Sequence, residues 1–200
     1  MTVKEKRAAL ERIHDEVLAL SSSPLFAYRT ENGYLPVIGE GSIDARVVLI
    51  GEAPGRNEAK TGKSFCGAAG KTLDILLAGI NIPRESVYIT NIVKDRPQEN
   101  RDPTPEEIAV YGPFLDRQID IIQPTVIVTL GRYSMQYIMR KFGLDGELEP
   151  ISKAHGKSYG AQASYGPINV IPQYHPAAAI YNRKLIPLLA EDFKTITRFI

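Results

Sequence analysis

Apolar positions recur along this chain in two alternating modes, and their order describes an α/β fold. Residues 4–20 carry apolar side chains at helical spacing until Ser21-Ser22-Ser23-Pro24 stops the run. Residues 25–42 are loop-like, with a short extended piece expected at Leu35–Ile38. Four short β-branched and aliphatic runs then read as strands, over 47–50, 87–91, 126–130 and 168–171. Helical spacing predicts helices over 70–79, 105–122, 132–142 and 184–199. Thr104-Pro105-Glu106-Glu107 is a helix start: a capping Thr, a Pro at the first position and acids in the first turn. Residues 143–166 are rich in Gly, Ser and Tyr and have room for a small hairpin. The expected fold is a three-layer α/β/α sandwich around a central, mostly parallel four-stranded sheet. One domain is expected over residues 1–200, with a helix and loop over 1–44 and the α/β core over 45–199.

In such sheets ligands bind outside the carboxyl ends of the strands. The segments there are Gly51–Gly70, Asn91–Pro103, Gly131-Arg132 and Tyr174–Ala178. The first, GEAPGRNEAKTGKSFCGAAG, holds five glycines, two glutamates and one phenylalanine. Ordinary connections run to about 2–6 residues, so a loop of this length reads as functional. Its glycines let backbone approach a ligand and leave N–H groups bare at a helix N-terminus.

Composition narrows the classes. At 44% hydrophobic and 24% charged the chain is an ordinary globular one. No run approaches the ~20 apolar residues of a membrane helix. The charged N-terminus does not read as a secretory signal, so a cytoplasmic, monomeric protein without membrane contact is expected. A single cysteine excludes an internal disulfide framework and a multi-cysteine metal site. The net charge of +1 does not advertise a nucleic-acid binder. Lys60, Lys63, Lys71, Lys94, Arg96 and Arg101 nonetheless gather in or beside two of the strand-exit loops, and Arg183 and Lys184 in a third. That rim fits salt-dependent phosphate contact, or an ordinary solvated surface.

Several motifs compete for the chemistry. Gly62-Lys63-Ser64 and Gly70-Lys71-Thr72 each resemble the end of a phosphate-binding P-loop, but the glycine required five residues earlier is Asn57 or Phe65. His14, His155 and His175 have no metal-ligand spacing, and no metal is expected. His175, pinned before Pro176 beyond a buried strand, can steady a developing anion or move a proton; it can equally satisfy a turn. Asn91 offers a donor and an acceptor side by side for a nucleobase edge, or forms a turn. Phe65 is a stacking platform or a loop anchor.

Together these residues carry a resemblance. GEAPGRNEAKTGKSFCGAAGKTL resembles the first motif of the uracil-DNA glycosylase superfamily, and is most like its fourth family, the branch that normally carries an iron–sulfur cluster. Thr90–Lys94 with Arg96–Glu107, Val128–Arg132 and Tyr174–Ala178 resemble three further blocks, in order, over roughly residues 45 to 195. The resemblance implies that Glu52, Ala53 and Pro54 line a uracil pocket largely through backbone, with Glu58 nearby. It implies that Phe65 stacks on the flipped base, Asn91 reads its edge, and His175 stabilises the uracil anion as the glycosidic bond breaks. Glu52, Asn91 and His175 are the expected catalytic residues. The expected partner is uracil-containing DNA, met by Lys63, Lys94, Arg101 and Arg132. Ile180 and Tyr181 would fill the gap as a wedge, by analogy with other intercalating side chains.

The chain departs from that branch where its cluster is held. The branch uses four cysteines; the later pair aligns with Asp95 and Tyr111, and the earlier pair falls within Ser21–Phe26. No cluster and no other cofactor is therefore expected, with the loop ordered by packing. Ser64 stands where the family usually has proline, and His155 where it often has arginine. Two functional readings follow: a glycosylase that hydrolyses uracil from DNA, or a non-catalytic or altered-specificity member that binds nucleic acid or another damaged base such as hypoxanthine.

Overall fold

The computed structural model describes residues 1–200. Its elements run α1 Val3–Leu18, α2 Phe26–Glu31, β1 Glu40–Gly41, β2 Val47–Gly51, α3 Arg56–Thr61, α4 Ala68–Gly79, β3 Tyr88–Asn91 and α5 Pro105–Ile122. They continue β4 Val126–Leu130, α6 Arg132–Lys141, α7 Ile151–Ala154, β5 Tyr159–Ala163, β6 Gly166–Gln173, α8 Ala178–Tyr181 and α9 Ile186–Phe193. The sheet order is β1-β3-β2-β4-β6-β5. β3, β2, β4 and β6 are mutually parallel, whereas β1 and β5 pair antiparallel at the two edges.

The sheet thus has six strands rather than the four expected, the extra two being its edges. An edge strand need not bury both faces, so it lacks the continuous apolar run that marks an inner one. β1 is a two-residue Glu-Gly pair, displaced from the extended piece expected at 35–38, and β5 reads Tyr-Gly-Ala-Gln-Ala. α2 and α3 lie within stretches read as loop; each is six residues long, too short for a periodic signal. The helix expected over 184–199 is broken into α9, with Pro187 in its first turn, between flanking 3-10 turns.

Alternation along the inner strands builds the three layers. Val47 and Leu49 face a core with Leu73, Leu76 and Leu77 of α4 and Leu189 and Phe193 of α9. Val48 and Ile50 face the opposite core, with Leu115 and Ile119 of α5 and Met135 and Ile138 of α6. A third cluster, including Ile13 and Val17 of α1 and Tyr111 of α5, packs the N-terminal helix against the core. Thr2 with Glu5 and Thr104 with Glu107 form capping boxes at the starts of α1 and α5. No helix is long and apolar enough to cross a membrane.

One buried lysine ties the end of β3 to α5. Lys94 is fully buried, against the expectation of a DNA contact. Its Nζ donates to the Asn91 carbonyl at 2.6 Å, to Gln118 Oε1 at 2.5 Å and to Thr90 Oγ1 at 2.9 Å. With no carboxylate among these partners, burial pushes the amine far below its usual pKa. A Lys94→Ala substitution orphans those acceptors and opens a cavity, at a cost of about 2–3 kcal/mol. The urea midpoint is expected to fall at constant slope; an unchanged midpoint would be incompatible with a buried, hydrogen-bonded amine.

Candidate active site

The parallel register brings the four strand ends to one crevice. Gly51 of β2 is the Cα partner of Asn91 of β3, and the Gly131 N–H donates to the Gln173 carbonyl at 2.9 Å just beyond β4 and β6. The loop after β2 leads to α4 on one face, whereas those after its neighbours β3 and β4 lead to α5 and α6 on the other, so they part and leave a cleft. That cleft is a cavity of about 300 Å³ lined by Glu52, Ala53, Pro54, Glu58, Phe65, Asn91 and His175. Its outer wall comes from Pro97, Asn100, Arg101, Asp102 and Pro103 of the loop after β3, and from Ala177 and Tyr181 after β6.

The glycine-rich loop is shaped by close approaches. Phe65 has φ +47°, a left-handed conformation that costs a non-glycine residue about 1–2 kcal/mol. It is held there from both sides. A Cβ on Gly70 would lie 1.6 Å from the Phe65 carbonyl oxygen, so only glycine lets α4 begin against that turn. Arg84, paired with Glu40 and Asp74, also donates to the Ser64 carbonyl at 2.7 Å. The Phe65 ring is only 6% exposed and joins the core beneath α4, yet it also lines the cavity. One ring therefore both anchors the loop and lines the cavity. Gly51 supplies the remaining space: a Cβ there would meet Asn91 Oδ1 at 2.3 Å and Phe65 Cζ at 2.9 Å.

Two polar groups face this space unspent. Asn91 is 2% exposed, and its Oδ1 is buried without a hydrogen-bond partner. A buried orphan acceptor is costly, and a ligand donor would relieve it. His175 Nδ1 accepts from the Ala177 N–H at 3.1 Å, which leaves the neutral ring's proton on Nε2. Burial pushes the His175 pKa down to about 4, partly opposed by the Glu58 carboxylate. The ring lies 5.6 Å from that of Phe65, inclined by 28°.

The two glutamates differ in their work. Glu58 Oε1 accepts from the Gly67 N–H at 2.8 Å and so clasps the loop shut at the start of α4. The Glu52 carbonyl is occupied by the Val93 N–H at 3.0 Å, while its Oε1 accepts from the Tyr133 N–H at 3.3 Å, at the N-terminus of α6. Burial raises the Glu52 pKa, against the pull of that N–H bond. A half-buried carboxyl at the cavity edge is suited to hold a water or meet positive charge.

Comparison with known proteins identifies the family. A family model described as the uracil DNA glycosylase superfamily matches residues 38–198. The chain belongs to that superfamily. A type-4 uracil-DNA glycosylase of Sulfurisphaera tokodaii is 48% identical, over 94% of this chain and 83% of its own. Proteins of the same name from Archaeoglobus fulgidus and Thermotoga maritima are 44% and 40% identical, over 94% and 96% of this chain and 92% and 94% of their own.

The iron–sulfur cluster suggested by the resemblance does not fit these residues. Such clusters are held by cysteine thiolates. The one cysteine, Cys66, is exposed on the cavity loop. The positions matched to the later pair, Asp95 and Tyr111, are instead hydrogen-bonded to each other at 2.6 Å. No three His, Cys, Asp or Glu side chains converge as a metal site.

The rim differs in part from the expectation. Lys63, Arg101 and Arg132 are exposed, but Arg101 forks onto Glu107 and Arg132 pairs with Asp102. Arg96 turns inward to Tyr28, Tyr34 and Asn100. Ile180 and Tyr181 are 46% and 91% exposed at the cleft mouth. Arg84 and Tyr133 have no signature in the sequence, because a half-buried arginine fork and a backbone N–H leave no motif.

The depressed His175 pKa has a signed consequence. Protonation is disfavoured in the folded state, so this contribution to stability is present above pH 6.5 and is lost as pH falls through about 4. Nitrogen-detected NMR of the histidine rings is expected to show His175 neutral, with its proton on Nε2, down to pH 5. A ring titrating at its unperturbed value would contradict the burial.

Proposed function

We propose that the protein is a monofunctional uracil-DNA glycosylase, which takes uracil out of DNA and hydrolyses its N-glycosidic bond to leave an abasic site. The observation that carries the reading is the opposition of an unpaired Asn91 amide oxygen and a neutral His175 donor across a cavity backed by Phe65. A base extruded from the stack enters this cavity and rests on the Phe65 ring. Asn91 pairs with the uracil edge, accepting from N3–H and donating to O4.

The glycosidic electrons depart with the base, and charge accumulates on its O2. His175 donates Nε2–H to that oxygen. A fixed donor aimed at the developing charge needs no proton transfer, so a low pKa is an advantage. On the other side of the breaking bond the Glu52 carboxylate meets the cationic sugar and orients the water that captures it, the water losing its proton to solvent or to Glu52. Ala53 and Pro54 close the cavity floor. Glu58 acts through the loop it clasps.

DNA meets the rim through Lys63 and, after exchange of their carboxylate partners for phosphate, Arg101 and Arg132. Ile180 and Tyr181 enter the vacated stack, a role supported by their exposure beside the cavity. In this reading residues 1–200 act as one domain, as a monomer, in the cytoplasm.

Purified protein is tested on labelled oligonucleotides carrying one uracil, single-stranded or opposite G or A, with alkali revealing abasic sites. Excision is expected, with losses of about 10²–10³-fold in kcat for His175→Ala and comparable or larger for Asn91→Ala. No release from any substrate by the native protein would overturn the assignment.

A further inference from the structure

The residues aligned with cluster cysteines in the related branch form a network of their own. Tyr111 OH donates to Asp95 Oδ2 at 2.6 Å and lies 2.7 Å from Ser23 Oγ. Arg29 Nη1 donates to Asp95 Oδ1 and Oδ2 at 3.2 and 3.0 Å, and to the Val17 carbonyl at 2.9 Å. Its Nη2 donates to the Leu18 carbonyl at 2.5 Å. Arg29 and Asp95 side chains are 3% and 0% exposed. No polar side-chain atom of this network is among the buried unpaired ones.

The network joins segments far apart in sequence, from the end of α1 and the start of α2 to the loop after β3 and the middle of α5. A buried charge pair is costly to assemble and more costly to break by halves. Its position explains what it holds. Asp95 lies two residues before Pro97, where the outer wall of the cavity begins, and the intervening Arg96 is fastened to Tyr28 and Tyr34 of the same N-terminal segment.

We infer that Arg29, Asp95, Tyr111 and Ser23 form a metal-free clamp that positions the Pro97–Pro103 wall of the base pocket, at the positions where the related branch carries cluster ligands. These are positioning residues; none lines the cavity. The inference rests on the glycosylase reading for its kinetic test and on the fold alone for its structural one. Arg29 is the central member, because its guanidinium satisfies Asp95 and two α1 carbonyls at once and leaves the oxygen donors no metal to bind.

Protein grown under iron depletion and dialysed against chelator is compared with untreated protein for iron content, uracil excision and amide hydrogen exchange. Tyr111→Phe, which removes both hydroxyl bonds, and Asp95→Asn, which removes the charge, are measured in parallel, singly and combined. The expected result is iron-free protein with unchanged excision. Each variant raises KM for a uracil oligonucleotide about tenfold with kcat within about twofold. Exchange accelerates over residues 98–102 while β2 and β4 keep native protection, and the double variant is no worse than Asp95→Asn alone. Stoichiometric iron whose removal unfolds the chain overturns the inference. So do native exchange and native KM in both variants, or exchange accelerated equally across the sheet. If Asp95→Asn fails to fold, Tyr111→Phe decides alone. Should the native protein excise no uracil, exchange in the same variants still decides the clamp.

Discussion

The β2 strand is hydrogen-bonded to a parallel neighbour on each side and covered by helices on each face, so all five of its residues are buried. A strand held in this way cannot slip by one residue without turning Val47 and Leu49 into the opposite core. Its last residue, Gly51, is therefore fixed in space, and so are Asn91 beside it and the start of the glycine-rich loop. The site depends on that register. Phe65 can hold a left-handed turn only because α4 returns against it from the same strand end.

Two buried basic side chains extend the constraint outward. Lys94 binds the carbonyl of Asn91 from behind, and Arg29 binds Asp95 one residue further on. Burying such groups is unfavourable in itself; several acceptors offset it at Lys94, and Asp95 together with two α1 carbonyls offsets it at Arg29. The consequence is a β3 exit whose backbone has few alternatives. On the proposed reading the site distinguishes bases by one hydrogen-bonded edge and needs such rigidity, since a displacement of about 1 Å would let a wrong base pair with a tilted amide.

Electrostatics divide the site into an interior without net pairing and a rim of paired charges. Inside, a neutral histidine and an unpaired amide await a ligand; outside, Arg101 and Arg132 are already matched to Glu107 and Asp102. The near-zero net charge is consistent with this division. On the proposed reading, affinity depends on exchanging these surface carboxylates for phosphates, an exchange weakened by salt, while specificity stays in the pocket.

Much of this was legible along the chain, because the strongest signals are local. Four apolar runs of β-branched residues became the four parallel strands, and Thr104-Pro105-Glu106-Glu107 became the capped start of α5. The loops following those strands had to share one sheet edge, so Glu52, Phe65, Asn91 and His175 could be grouped before any contact was known. The edge strands, α2 and α3 were not legible, since two to six residues carry no period and edges need not be apolar. Nor was the fate of individual charges. Lys63 and Lys94 look alike in sequence, yet one is exposed and the other buried, because only the packed α5 brings Gln118 to Lys94. Arg29 carries no motif, and its partner lies 66 residues away. Hydrophobic periodicity, a property of neighbours, determined the fold class and the ends of the strands. Burial and pairing of charge depend on segments distant in sequence meeting in space, and those only the tertiary structure decided.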